Sequence, residues 1–479
     1  MHYPGKNGGG PRGARHPRGW GRTWRFLLLA AALAVPAIPV AADGVPRPYA
    51  PAAPGVRVIY TGATLIDGRG GPAQAGMAII TDGERIVEVL PAANLDPARR
   101  AGAAIIDIDG AFVIPGLIDS HQHMATPPNR PRAEAQMRRD LFGGITAVRD
   151  MADDLRAVNE YARAARMGEI PGPDILAGAI FAGPDFFDDP RTAAAAEGVK
   201  PGSAPWMRAV DDDTDLAEAV TLARGTSAVA VKLYDNLRPQ DVKRITAEAH
   251  RQGMMVWAHG MVFPTPPDAV VAAGVNSISH TCYLAYQISD PRPTTYKDRR
   301  PVEAAKLIGG DNPEMAKLFG EMATKGILLD ATLWVYREYD RRLAANPDMK
   351  PRPHCSLDVA AALTAQALRA GVTVVAGTDG VPPAAHPWPA LHDELELLHD
   401  RAGMSTAAVI RAATLDGARA MGQEAEMGSV EPGKLANFVV LDKDPLADLS
   451  NLRTLRFTVK RGARLDRTDY RPITAEEMP

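Results

Sequence analysis

The sequence predicts a (β/α)8 TIM barrel carrying a satellite β-sandwich that the N- and C-terminal segments build together. Three observations predict it. Eight short apolar segments alternate with amphipathic helical patterns through the middle of the chain. Runs of short strands with turn punctuation flank that middle on both sides, and five of the eight segments end in a residue of metal-ligand type. An open, doubly wound sheet is the alternative, but no glycine-rich phosphate turn follows the first segment.

Residues 1–42 stand apart. Lys6, Arg12, Arg15, Arg18, Arg22 and Arg25 precede an apolar run over 26–40 with no acid among them, and Val40, Ala41 and Ala42 offer small side chains for cleavage before Asp43. That is the pattern of a secretory signal peptide. A retained membrane anchor competes with it, but Pro36 and Pro39 interrupt a run already shorter than the ~20 residues a spanning helix needs. The expectation is an exported protein, periplasmic or secreted, without stable membrane insertion after cleavage. Taking the leader's six cations from the 54 basic residues leaves 48 against 57 acidic ones, a net charge of −9. That balance argues against a nucleic-acid partner.

Composition adds less. With 46% hydrophobic and 23% charged residues over 479 positions, the chain can bury a large core. Cys282 and Cys355 are too few for a disulfide framework, and one bridge between them stays open in an oxidising compartment. A homo-oligomer also stays open.

Residues 43–114 form the first part of the sandwich, with strands expected at 56–60, 77–81, 86–90 and 104–108. Thr81-Asp82-Gly83-Glu84 reads as a tight hairpin. The second part, 424–479, has the same texture: Gly433-Lys434-Leu435-Ala436-Asn437 leads into a strand at 438–441, and a further strand at 457–460 precedes Gly462. The barrel is assigned to 115–423. Its strands are expected at 112–118, 145–149, 174–177, 228–234, 254–258, 275–279, 327–332 and 372–376. Helical patterns such as 241–252, with Val242, Ile245 and Ala249 on one stripe, and 358–369 separate the later ones.

The ends of those strands carry the chemistry. From Pro115 to His123 the chain reads Pro-Gly-Leu-Ile-Asp-Ser-His-Gln-His, and alternate residues of a strand share a face, so His121 and His123 can grip one cation. Strand four carries Lys232, strand five ends in His259, strand six in His280, and strand eight in Asp379. Singly, each has a bland account: satisfied core histidines, a snorkelling lysine, a turn aspartate. Their convergence on the C-terminal rim of one barrel is what points to a site. A lysine inside an apolar strand must neutralise or find a partner, and a neutral amine can take up carbon dioxide as a carbamate. Two arrangements follow. Two divalent metal ions, zinc first on ligand type, would sit between His121, His123 and Asp379 on one side and His259 and His280 on the other, with carbamylated Lys232 bridging. A single metal on His121, His123, His259 and Asp379 is the competitor.

Three connections are too long for plain linkage: 181–213, 283–312 with Tyr283, Tyr286, Tyr296, Lys297, Arg299 and Arg300, and 334–355 with Tyr336, Arg337, Tyr339, Arg341 and Arg342. All leave C-terminal strand ends and are expected to roof the barrel mouth.

With these residues in view, the chain resembles the amidohydrolase superfamily across 56–462, and most of all its binuclear branch related to Xaa-Pro dipeptidases and imidazolonepropionase. The likeness rests on the Pro115 to His123 run, Gly144-Ile145-Thr146-Ala147-Val148-Arg149-Asp150, Lys232, His259, His280, Thr378-Asp379 and the Gly433 to Asn437 closing motif. It implies that His121, His123, carboxylated Lys232, His259, His280 and Asp379 are the metal ligands. Asn437 departs from the aspartate usual there, in the satellite and away from the chemistry. The expected reaction is hydrolysis of a C–N bond in a small-molecule substrate by metal-activated hydroxide, with Asp379 carrying the proton to the departing nitrogen. Tyr234, two residues beyond Lys232 on the same strand face, could donate to the developing oxyanion or simply pack. The roof tyrosines and arginines suggest a substrate with a carboxylate and an apolar part, such as an N-acyl amino acid or dipeptide. A cyclic-amide hydrolase or deaminase is the alternative, an esterase or lactonase is closer still, and a non-catalytic exported binding barrel is the reading from another class.

Overall fold

The computed structural model describes residues 47–350 and 353–478, so the leader expected over 1–42 lies outside them. Eight parallel strands form the barrel: Leu117–Gln122, Ile145–Asp150, Asp174–Ala182, Ala230–Leu233, Met255–His259, Ser277–Ser279, Leu328–Asp330 and Val374–Val375. Each pairs with the next. The ring closes where the Ser120 N–H donates to the Ala376 carbonyl at 2.8 Å and the Asp379 N–H to the His121 carbonyl at 2.9 Å. Because helices cover the outside and side chains fill the inside, the strands are almost wholly buried and mostly apolar, with buried polar exceptions such as Arg149, Lys232, Ser277 and Asp330. That is why they stand out in the sequence as short runs without alternation.

The expected first strand, 112–118, is two strands, and this corrects the sequence reading. Phe112–Pro115 pairs antiparallel with Phe438–Leu441 in the satellite, and only Leu117–Gln122 enters the barrel. The break falls at Pro115-Gly116. Proline offers no N–H to continue a ladder, and a Cβ on Gly116 would lie 2.2 Å from Thr146 Oγ1, so only glycine lets the backbone cross between sheets there.

The satellite strands are Arg57–Leu65, Gln74–Asp82, Arg85–Pro91, Ala104–Asp107 and Phe112–Pro115 from the front of the chain, with Phe438–Leu441, Leu455–Lys460 and Ala463–Asp466 from its end. They form one hydrogen-bonded sheet folded over a core of Tyr60, Ile79, Val113, Phe438 and Phe457. Gly83, with φ of 55°, makes the expected hairpin. The satellite meets the barrel at the N-terminal end of strand three, away from the rim that carries the chemistry. Buried Lys460 reaches the Gly172 carbonyl at 2.8 Å and Asp174 at 3.1 Å, and Arg461 reaches Asp174 at 2.9 Å.

The helices expected at 241–252 and 358–369 are Pro239–Arg251 and Leu357–Arg369. The connection expected at 334–355 is largely a helix, Leu333–Ala345. Its first turn has no side-chain cap of its own; Glu394, fully buried, accepts from the Leu333 N–H at 3.0 Å and the Trp334 N–H at 2.5 Å. After strand three the chain adds a small hairpin, Ser203–Ala204 and Met207–Ala209, beside that strand. Cys282 and Cys355, left open by the sequence, are joined in a disulfide. Among the described residues no helix is long and apolar enough to cross a membrane.

Candidate metal centre

Every residue singled out on the strand ends faces one cavity of about 280 Å³ at the C-terminal rim: His121, His123, Lys232, Tyr234, His259, His280 and Asp379 all line it. The ligand atoms of His121, His280 and Asp379 lie within 4.8 Å of one another. Asp379 Oδ1 is 3.6 Å from Nε2 of both His121 and His123, and its Oδ2 is 3.9 Å from His280 Nδ1. The His259 ring stands 5.1 Å from that of His280, centroid to centroid. Lys232, 1% exposed, donates to Ser279 Oγ at 3.3 Å. His280 and Asp379 adopt left-handed backbone angles, φ of 68° and 50°, which turn each side chain inward at a strand end.

Carboxylates behind the site fix which nitrogen each imidazole presents. His121 Nδ1 donates to Asp330 at 2.7 Å, and His123 Nδ1 to Asp153 at 2.9 Å. That leaves Nε2 of both rings aimed at the cavity, the arrangement that orients imidazoles for a metal. Asp330 also accepts from Arg149 at 3.1 Å and Ser279 at 3.0 Å, while Asp153 takes the Ala125 N–H and the Thr126 hydroxyl, both at 2.5 Å. Sequence reasoning passed over Asp330 and Asp153. The available signal was an acid at the end of strand seven and another just beyond strand two, in a chain whose histidines each needed a second partner.

The electrostatics favour neutral nitrogen. Burial, then the nearby Lys232, pushes His121 and His259 well below the ordinary imidazole value, and burial with His121 does the same for His280. Burial, helped by Arg149, brings the Lys232 amine down to about 7. Burial lifts Asp379 to about 6. At His123 burial opposes the change but is outweighed by the Asp153 carboxylate, and the imidazole rises to about 9. A divalent ion fits this donor set: neutral imidazoles at His121, His259 and His280, a fourth at His123 whose proton an ion would displace, the Asp379 carboxylate between His121, His123 and His280, and a buried His259 Nδ1 with no hydrogen-bond partner in the protein.

The roof segments do reach the cavity. Phe186 and Arg191 come from the first, Tyr283, Tyr296 and Arg299 from the second, and Val335, Tyr336, Tyr339 and His354 from the third. Tyr286, Lys297, Arg300, Arg337, Arg341 and Arg342 are not among the lining residues. The Tyr234 ring packs 4.1 Å from that of His259, and burial raises its hydroxyl well above the ordinary phenol value.

A closed parallel barrel that gathers imidazoles, a carboxylate and a lysine at its C-terminal rim is the plan of a barrel hydrolase. The chain belongs to the amidohydrolase family, whose model matches residues 112–464, and it is a hydrolase. It is 25% identical over 448 residues to ochratoxinase from Aspergillus niger, covering 82% of each chain. To imidazolonepropionase from Solibacter usitatus it is 24% identical over 414 residues, covering 80% of this chain and 90% of that one. Its fold matches the crystal structure of a Xaa-Pro dipeptidase with methionine bound in the active site, at a TM-score of 0.66 and 20% identity, over 86% of this chain and all of the other.

Proposed function

We propose that this hydrolase cleaves an amide or dipeptide-like C–N bond in a small substrate bearing a carboxylate and an apolar part. His121, His123, Lys232, His259, His280 and Asp379 would hold two divalent metal ions, zinc first. When bound, such ions supply Lewis-acid polarisation of the scissile carbonyl and activate water near neutral pH. The observation that carries the reading is Lys232, an amine 1% exposed among neutral imidazoles and held near neutrality by burial. Adding carbon dioxide to that nitrogen with loss of one proton gives an anionic carbamate, which supplies two oxygen ligands where the uncharged amine had none.

The remaining steps belong to the chain's own groups. Asp379, within 4 Å of His121, His123 and His280, would accept a proton from the attacking water and return it to the departing nitrogen. Tyr234 keeps its proton and donates to the oxygen on which charge develops. Residues from the roof line the mouth of the cavity, where His123 and Asp379 remain partly exposed. Export is part of the same reading, supported by the signal-peptide pattern of residues 1–42 and by a disulfide that belongs in an oxidising compartment.

The likeness to imidazolonepropionase favours a cyclic-amide hydrolase or deaminase as the second reading. Such an enzyme has no use for Lys232. The test is metal analysis of the purified protein with a panel of N-acyl amino acids and dipeptides set against esters, lactones, cyclic amides and nucleosides, using Asp379→Asn as the blank. Two metal equivalents and turnover of linear amides are expected. Turnover confined to heterocycles, or one metal with Lys232 unmodified by intact mass, would defeat the proposal.

A further inference from the structure

Two guanidiniums line the cavity, and they are not equivalent. Arg191 is paired with Asp189 at 2.7 Å, and its side chain is 52% exposed. Arg299 donates Nε to the Tyr296 carbonyl at 2.9 Å and Nη1 to the Tyr283 hydroxyl at 2.7 Å. Neither acceptor is charged, and among the described residues Arg299 makes no ion pair. Its guanidinium carbon lies over Tyr296, 3.5 Å from the ring centroid. Tyr283, 4% exposed, is stacked on His354 at 4.9 Å and on His259 at 5.2 Å, so the arginine is held against the same wall that carries a site imidazole. A half-buried cation without a counter-ion is a costly thing to fix in place unless something anionic completes it.

Part of the cavity lining is apolar. Met151 and Ala152 follow strand two, which faces strand six across the barrel, and with Ile180, Phe186 and Met207 they present no charge. The pocket therefore offers apolar surface beside the reactive groups, with both guanidiniums near Tyr296, Arg299 at 3.5 Å and Arg191 at 5.9 Å from its ring centroid. We infer that Arg299, and not Arg191, is the receptor for the substrate's carboxylate, so that the enzyme acts on acyl amino acids with a free carboxylate and rejects the same molecules when that carboxylate is amidated. This rests on the amide-hydrolysis reading and assigns its specificity to one side chain. The guanidinium fork suits a carboxylate with two parallel N–H donors, and Arg299 is already oriented by its two neutral bonds, so little rotamer freedom is lost on binding.

The test uses N-benzoyl-L-leucine and its C-terminal amide on the metal-replete protein, with kcat and KM measured for each and equilibrium binding of both measured on Asp379→Asn. The wild type should prefer the acid by ~10- to 100-fold in KM, the span of a desolvated charge-assisted bond. Arg299→Met should abolish that preference by weakening the acid alone while kcat and metal content hold, Arg299→Lys should restore part of it, and Arg191→Met should leave it intact. Equal weakening of acid and amide by Arg299→Met would make Arg299 a wall residue and overturn the inference, as would loss of the preference in Arg191→Met. If acid and amide are cleaved equally well by the wild type, the inference falls while amide hydrolysis stands. If neither is bound or cleaved, the underlying reading falls and takes this one with it.

Discussion

Replacing Asp330 by asparagine tests the support behind the site rather than the site itself. Asp330 is fully buried and its Oδ2 accepts three hydrogen bonds, from His121, Arg149 and Ser279. Asparagine keeps the shape but removes the charge, which leaves the Arg149 guanidinium, also 0% exposed, facing only the Ser120 carbonyl, Ser277 Oγ and the Trp257 ring. Stranding one member of a buried ion pair costs about 3–5 kcal/mol. For a chain of this length that lowers the melting temperature by roughly 3–5 °C. The His121 ring loses the acceptor that fixes its tautomer, so metal affinity should fall ~10- to 100-fold. Thermal unfolding of the metal-free protein reads the first effect, and zinc titration against a competing chelator reads the second. Removing both charges, as Asp330→Asn with Arg149→Met, should recover much of the stability but none of the metal affinity. An Asp330→Asn protein that melts within about 1 °C of its parent and binds zinc equally well would refute the reasoning.

Three further outcomes are expected. Asp379→Asn should keep most of its metal by elemental analysis and lose ~10²- to 10⁴-fold in kcat on a linear amide. Lys232→Ala should hold at most one metal equivalent, with the added mass of the carbamate absent from the intact protein. Asp174 links barrel to satellite, and although burial opposes it, Lys460 and Arg461 hold its carboxyl below the ordinary value. Its contribution to stability is therefore complete above the unfolded value of about 3.9 and drains away as pH falls through the lower folded value. Circular dichroism on acid titration should show Asp174→Asn destabilised at pH 7 and less sensitive to acid in that window.

Much of this fold was legible because barrel strands are buried on both sides and announce themselves as short apolar runs, and because a ligand-type residue at such a run's end has few other reasons to be there. Lys232 is the plainest case: an ammonium in Val-Ala-Val-Lys-Leu conflicts with its surroundings, and the conflict is the signal. What stayed hidden depended on contacts between distant parts of the chain. The apolar run over 112–118 gives no hint that two sheets share it, since a strand's texture is the same in either. Asp330 and Asp153 look like ordinary polar residues until the histidines they orient, some 209 and 30 positions away, are beside them. Cys282 and Cys355 are 73 residues apart, and no spacing rule brings them together. The helix Leu333–Ala345 was missed because its first turn is satisfied by Glu394, about sixty residues downstream, instead of by a local cap.

The bridge between those cysteines has a consequence for how the wall of the cavity is held. Cys282 sits two residues past His280 and next to Tyr283; Cys355 adjoins His354, which rests on Tyr283. A chain still in a reducing environment carries two thiols there, and the segments bearing the arginine's anchor are untethered. With the bridge reduced, packing alone would hold the stacked Tyr283 and His354 together, on segments that the bridge ties across 73 residues of chain.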